Sequence, residues 1–274
     1  MSRTHPKPTG SSATRPSHPA KPVKAPAQKA TKATSAEAAA KKAPPAPKRP
    51  TGAVLWAAGL TKEYGDLPAL APLDLTIPEH QSVVLIGHNG SGKTTFLRMA
   101  AGLLEPTAGI VELVGHPVGS VASRAAVSYV SDNPTFYEDL SVWEHLEYVA
   151  RLHGRDDWEQ DAANLLGQLG LYERADDLPV TFSRGLRQKT ALTLGLIRPF
   201  DLLLIDEPFV GLDASGKVAL LELLDETRDK GAALVVATHE LEFVQRVSRC
   251  VALRDGQLAY DGTTEGIDVL GLVS

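Results

Sequence analysis

The chain has 274 residues, with 28 Lys/Arg against 33 Asp/Glu for a formal net charge of −5, and 43% of its residues are hydrophobic. A single cysteine, Cys250, excludes an intrachain disulfide scaffold and a cysteine-based zinc module. No apolar run approaches the roughly 18–20 residues of a membrane span. The net charge averages two unlike segments: residues 1–50 carry 11 Lys/Arg and one acid, Glu37, for a net of +10, and residues 51–274 carry a net of −15.

Residues 1–50 hold ten of the 19 prolines, twelve alanines and no Phe, Trp, Tyr, Leu or Ile. Such a segment buries too little apolar area to offset its chain entropy, so it reads as a disordered basic Pro/Ala/Lys tail. Residues 35–42 have helical propensity and are ended by Pro44, Pro45 and Pro47. No apolar run follows the N-terminus, which argues against a secretory signal. Three roles compete for the tail: a solvated leader, attachment to anionic lipid, and nonspecific contact with nucleic acid. Cations near an anionic lipid surface contribute on the order of 1 kcal/mol each. The lack of aromatic residues to stack on bases argues against the single-stranded form of nucleic acid as a partner.

From Thr51 the composition is that of a folded domain, 51–274. Residues 54–58 and 73–77 predict short strands. Residues 82–86 are a β-branched apolar run that stops at Gly87, and 94–103 have helical periodicity, giving strand, Gly-rich loop and helix. Residues 110–113 and 127–130 predict further strands. Ser141 followed by Glu144 is a capping box that opens a helix ending near His153. Residues 158–169 and 186–197 predict two more helices, so a helical insertion spans about 132–190. Residues 202–205 are the fully apolar kind of strand buried in a parallel sheet. A helix at 215–228, a strand at 233–237 and a helix at 240–247 follow. Asp255-Gly256 then marks a hairpin.

Gly87-His88-Asn89-Gly90-Ser91-Gly92-Lys93-Thr94 satisfies the phosphate-loop pattern in full, between a buried strand and a helix. Gly90 and Gly92 allow backbone angles closed to other residues. The loop amides and the helix start face a phosphate. Lys93 adds a point charge, the Thr94 hydroxyl suits Mg²⁺, and Thr95 beside it is counted with the nucleotide-binding residues. Farther along, Asp206 and Glu207 end the strand at 202–205, on the sheet edge where open parallel sheets bind ligands. Asp206 suits Mg²⁺ through a water, and Glu207 suits polarising a water that attacks the γ-phosphate.

Around these two elements the chain resembles the ABC-type ATPases, the nucleotide-binding subunits of ABC transporters, over about residues 53–262. Phe182-Ser183-Arg184-Gly185-Leu186, followed by Arg187-Gln188, is similar to the family signature LSGGQ. Gly211-Leu212-Asp213 resembles the D-loop and Thr238-His239 the switch histidine. Tyr64 stands where the family keeps an aromatic that stacks on adenine. The resemblance implies an α/β fold: a P-loop NTPase core with a mainly parallel sheet, an antiparallel β subdomain and a helical subdomain. It implies ATP and Mg²⁺, with Glu207, His239 and Lys93 catalytic. It also implies a pair of subunits that sandwich two ATP molecules head to tail, with Ser183 and the Gly185 amide contacting the γ-phosphate in trans.

The sequence departs from the family pattern twice. Asp132, in Ser131-Asp132-Asn133-Pro134, takes the place of a metal-reaching Gln, and Arg184 replaces the first signature glycine. The expected use is to power a membrane transporter whose permease is a separate chain, from the cytoplasmic face of the membrane. Export is favoured because residues 136–142 resemble exporter-type ATPases, and because the 35 residues after His239 leave no room for an importer regulatory domain. The alternative is a soluble ABC-type ATPase acting on ribosomes or nucleic acid, but such relatives carry tandem ATPase domains or a long coiled coil, and this sequence shows neither.

Overall fold

The computed structural model describes residues 48–273, so the reading of residues 1–47 as a tail lies outside it. The described chain opens with antiparallel strands β1 (Ala53–Tyr64) and β2 (Leu67–Pro78), then β3 (Ser82–Ile86) and α1 (Lys93–Ala100). β4 (Ala108–Leu113) and β5 (His116–Pro117) return to the first sheet, whose order is β2-β1-β4-β5. Helix α2 (Val121–Ala126) leads into β6 (Val127–Val130), and three helices follow: α3 (Val142–Leu152), α4 (Glu159–Gln168) and α5 (Arg184–Leu196). The chain then alternates through β7 (Leu202–Asp206), α6 (Ala214–Asp229), β8 (Ala233–Ala237) and α7 (Leu241–Val244). It closes with β9 (Arg249–Arg254), β10 (Gln257–Thr263) and α8 (Val269–Val273). The second sheet has the order β10-β9-β3-β8-β7-β6 and is parallel except for the β9–β10 hairpin.

Successive side chains of a strand point to opposite faces, and a parallel sheet covered on both faces must be apolar on both. Strand β3 shows this directly: Val83 and Leu85 pack with the antiparallel sheet and α1, while Val84 and Ile86 pack with α5 and α6 residues such as Leu192, Leu220 and Leu224. Strand β7 divides the same way, with Leu202 and Leu204 on one side and Leu203 and Ile205 on the other. The helical insertion has a core of its own, in which Val142, Leu146, Trp158, Ala162, Leu166 and Phe182 pack together. The capping box at its entrance forms as the sequence indicates: Glu144 N–H donates to Ser141 Oγ (3.2 Å) and Ser141 N–H donates back to Glu144 Oε2 (2.8 Å).

Strand register brings four loops to one edge. Asp206 pairs with Ala237 and Leu85 also pairs with Ala237, so β7, β8 and β3 end level. Val130 pairs with Ile205, which places the loop after β6 beside them. Gly87, Asp132, Glu207 and Thr238 therefore leave the sheet together, at the carboxyl ends of parallel strands, where such sheets bind ligands.

Some elements differ from the sequence expectation. Strands β1 and β2 run twelve residues each, because their ladder continues past irregularities at Ala57/Leu60 and Leu60/Lys62. Helix α1 stops at Ala100 since Gly102 turns left-handed at φ 72°. Helix α5 begins at Arg184, two residues early, because Ser183 is its cap. Helix α7 spans only Leu241–Val244, and the chain then leaves through a turn in which Arg246 N–H bonds Phe243 O at 2.9 Å.

Candidate active site

The phosphate loop is shaped by its glycines. Gly90 and Gly92 have φ of 87° and 103°, a region costly to residues with a β-carbon. At Gly87 the obstacle is space, since a β-carbon there would lie 2.2 Å from Leu253 O and 2.4 Å from Ser91 Oγ. Asn89 and Gly90 are exposed at the crest of the loop, whereas Ser91 is buried and its Oγ has no hydrogen-bond partner. His88 holds the loop to the β9–β10 turn, with Nε2 3.2 Å from Asp255 Oδ1. The same turn accepts and donates on either side: Gly256 N–H bonds Ser91 O at 3.1 Å, and Ala71 N–H bonds Gly256 O at 2.7 Å.

Lys93 is buried, and its ammonium folds back into the loop, donating to Gly87 O at 2.6 Å. It lies 3.8 Å from Glu207 Oε1. Burial pulls its pKa down, and the Glu207 and Asp206 carboxylates oppose that shift. Thr94, the next residue of α1, donates its hydroxyl to Asp206 Oδ2 at 2.5 Å. Thr95 is half-buried on the same helix.

Asp206 is 1% exposed and, among the described residues, makes no ion pair. Burial raises its pKa, the Thr94 hydrogen bond lowers it, and Asp132 raises it further. The Lys93 and Arg98 charges act against that rise, and a bound cation would favour the ionised form further. Two hard oxygen donors, with the Asp132 carboxylate close enough to be felt, fit Mg²⁺. Asp132 itself is half-buried and its Oδ1 accepts from Ser131 Oγ at 3.1 Å.

Glu207 has φ 45°, a left-handed conformation rare for a residue with a β-carbon. Its N–H still completes the sheet by bonding Ala237 O at 2.8 Å. The reversal turns its carboxylate away from that of Asp206 and toward Lys93 and His239, whose Nε2 is 3.4 Å from Glu207 Oε1. Burial raises the Glu207 pKa, with Lys93 acting against it. Burial and then the Lys93 charge lower that of His239, which favours the neutral imidazole in this contact. Glu240 N–H bonds Thr238 Oγ1 at 3.0 Å and fixes the turn that presents His239, and Glu240 also pairs with Lys217 on α6.

The signature residues stand apart. Ser183 caps α5, accepting from Leu186 N–H at 3.5 Å, and is exposed. A β-carbon on Gly185 would lie 2.3 Å from Gly211 O, so α5 packs by backbone contact on the loop that leaves Glu207. Among the described residues no hydrogen bond or ion pair joins Ser183, Gly185 or Tyr64 to the phosphate loop. Tyr64 ends β1, is 55% exposed and lies under the Lys62 ammonium, 5.2 Å from the ring centroid. Contacts that sequence reasoning missed join distant segments. Arg187 donates to Pro134 O at 2.7 Å and lies over the Phe136 ring, and Lys189 sits 3.2 Å from Asp213 Oδ1. Asp255 was legible only as a turn residue.

A family profile described as "ABC transporter" matches residues 70–210, more than half of the chain. The chain belongs to the ABC transporter ATP-binding family. Among its relatives, the SkfA peptide export ATP-binding protein SkfE of Bacillus subtilis (strain 168) is 34% identical over 205 residues, covering 74% of this chain and 86% of that protein. The aliphatic sulfonates import ATP-binding protein SsuB 2 of Pseudomonas aeruginosa (strain UCBPP-PA14) is 32% identical over 214 residues, covering 77% of this chain and 75% of that protein. A solved ATP-binding subunit of an ABC transporter superposes with a TM-score of 0.74 at 29% identity, covering 80% of this chain and 97% of that one. This ABC ATP-binding subunit is therefore an ATPase built on the P-loop NTPase fold. No helix among its described residues is long and apolar enough to cross a membrane.

Proposed function

We propose that this ABC subunit hydrolyses ATP with Glu207 as the base that orients and deprotonates the attacking water, and that hydrolysis powers a membrane transporter on a separate permease chain. The observation that carries this reading is the meeting of Glu207, Lys93 and His239 at the edge where Thr94 and Asp206 also converge. Lys93 leaves Gly87 O to take phosphate oxygens. His239 contacts the γ-phosphate through a neutral imidazole and keeps Glu207 in place. The loop backbone from Gly87 to Thr95 cradles the phosphates, and Tyr64 stacks on adenine. Mg²⁺, when bound, is held by Thr94 and Asp206 with Asp132 beside them, and it neutralises phosphate charge. Phosphoryl transfer asks mainly for positioning and charge neutralisation, which these groups supply.

The exposed Ser183 and the Gly185 amide serve a second copy of the chain, paired head to tail, by contacting the γ-phosphate of the nucleotide it holds. Release of that γ-phosphate lets the copies part. The permease meets the helical insertion at a groove of ≈ 350 Å³ lined by Ser131, Pro134, Phe136, Val149 and Leu152. Tyr137, Tyr148 and Leu152 are exposed at 55%, 47% and 66%, which is apolar surface suited to an amphipathic helix of the partner. That docking places the subunit on the cytoplasmic face of the membrane. Export is our reading of direction; the exporter-like segment 136–142 supports it, and SkfE is a peptide export protein by name, although SsuB 2 is named for import.

The test is recovery of tagged Glu207→Gln with Mg-ATP from detergent-solubilised native membranes. A polytopic membrane protein is expected to copurify and to be lost with Tyr148→Asp. Recovery of only ribosomes or nucleic acid would transfer the reading to a non-transport ATPase.

A further inference from the structure

Arg184, Arg187 and Lys189 stand in the first two turns of α5, and no acid stands in its first turn. That end of a helix carries the positive end of the dipole, so cations there are disfavoured unless something nearby compensates them. Arg187 is compensated by the Pro134 carbonyl and the Phe136 ring, and Lys189 by Asp213. Arg184 is exposed, and among the described residues its guanidinium has no ion-pair or hydrogen-bond partner.

Arg184 does not crowd the backbone contact. The position with no room for a side chain is the next one, Gly185, against Gly211 O. The stem of Arg184 runs beside Gly211, where a β-carbon would sit 3.5 Å from Arg184 Cγ. Close packing thus holds Arg184 beside Ser183 while its charged head faces solvent.

We propose that Arg184 is a phosphate-binding residue acting in trans: in the ATP-closed pair its guanidinium donates to γ-phosphate oxygens of the nucleotide held by the other copy. This rests on the head-to-tail reading above. The closed pair supplies the anion that Arg184 lacks in the single chain. A planar guanidinium can bond two phosphate oxygens at once, which a lysine ammonium cannot match. With two copies facing two nucleotides, the contact enters dimerisation twice.

The experiment is sedimentation velocity of full-length Glu207→Gln with Mg-ATP over a salt series, alone and combined with Arg184→Gly or Arg184→Lys. Arg184→Gly is expected to weaken the ATP-dependent dimer at least about tenfold and to flatten its salt dependence. Arg184→Lys falls between. The affinity of the single chain for a fluorescent ATP analogue is unchanged; a merely structural role, the packing of the stem on Gly211, would be kept by Arg184→Lys and leave its dimerisation at the level of Glu207→Gln alone. Equal dimerisation with and without Arg184→Gly overturns the proposal alone. Failure of Glu207→Gln itself to dimerise with ATP overturns the head-to-tail reading and the proposal with it.

Discussion

Two adjacent carboxylates face different partners because one backbone angle separates them. Asp206 ends β7 in the sheet and points to Thr94, while Glu207, at φ 45°, turns to Lys93 and His239. A left-handed glutamate costs on the order of 1–2 kcal/mol, a strain of the kind that persists at functional sites. Asp206 carries a second cost in the nucleotide-free protein. Its pKa is raised in the fold by burial, so the folded state holds the proton more tightly than the unfolded state. Below the ordinary aspartate value both states are protonated and nothing is lost. As pH rises from that value through the raised one, stability falls, and above it the loss is complete. Asp206→Asn should therefore melt a few degrees higher than the parent near pH 7 without nucleotide, at about 2–4 °C per kcal/mol relieved. The gap should close toward pH 4 and reverse with Mg-ATP, where only the parent gains full protection. Thermal melts across pH check this, and a lower melting point for Asp206→Asn at neutral pH without nucleotide would contradict it.

The signature helix and the catalytic loop act on each other through a backbone contact. Gly185→Ala places a methyl 2.3 Å from Gly211 O, so α5 or the 207–213 loop must move. A cost of about 1–3 kcal/mol is expected in urea unfolding, together with reduced ATP turnover and retained nucleotide binding. Unchanged turnover would mean that the contact does not position Glu207 or the signature. Strands β3 and β8 were legible in the sequence with their observed bounds, because a strand buried on both faces is a short, mostly apolar run, and β6 was legible from its β-branched and aromatic residues. The β9–β10 hairpin was legible from Asp255-Gly256, whose φ values of 49° and 75° suit a tight turn with both central residues left-handed. Helix α2 was not legible: it has six residues without apolar periodicity, and its start is marked by the Ser120 cap, which accepts from Ser123 N–H at 3.2 Å. In the site, the contiguous motif residues could be read because local order carries their chemistry. The His88–Asp255 and Arg187–Pro134 contacts could not, since they join residues 167 and 53 positions apart that only the fold brings together.

At the scale of the molecule, the parallel sheet gathers the phosphate loop, the carboxylates and His239 at one edge, while α5 carries Ser183 and Arg184 outward without bonding to that edge. A single chain thus presents the phosphate loop and, separately, the exposed Ser183 and Arg184, which the proposed head-to-tail pair would bring together twice. The helical insertion has its own core and borders the groove lined by Pro134, Phe136, Val149 and Leu152, which the proposed permease would occupy. Arg187 fastens α5 to the loop between Asp132 and Tyr137. All of this depends on Glu207 performing the chemistry. The direct measurement is steady-state ATP turnover by purified full-length Glu207→Gln beside the parent, with nucleotide binding measured on the same samples. Loss of a base that moves a proton in the transition state predicts a fall on the order of 10²–10⁴-fold with ATP still bound. Turnover within about twofold of the parent would show that Glu207 does not activate the water, and the catalytic assignment would fail.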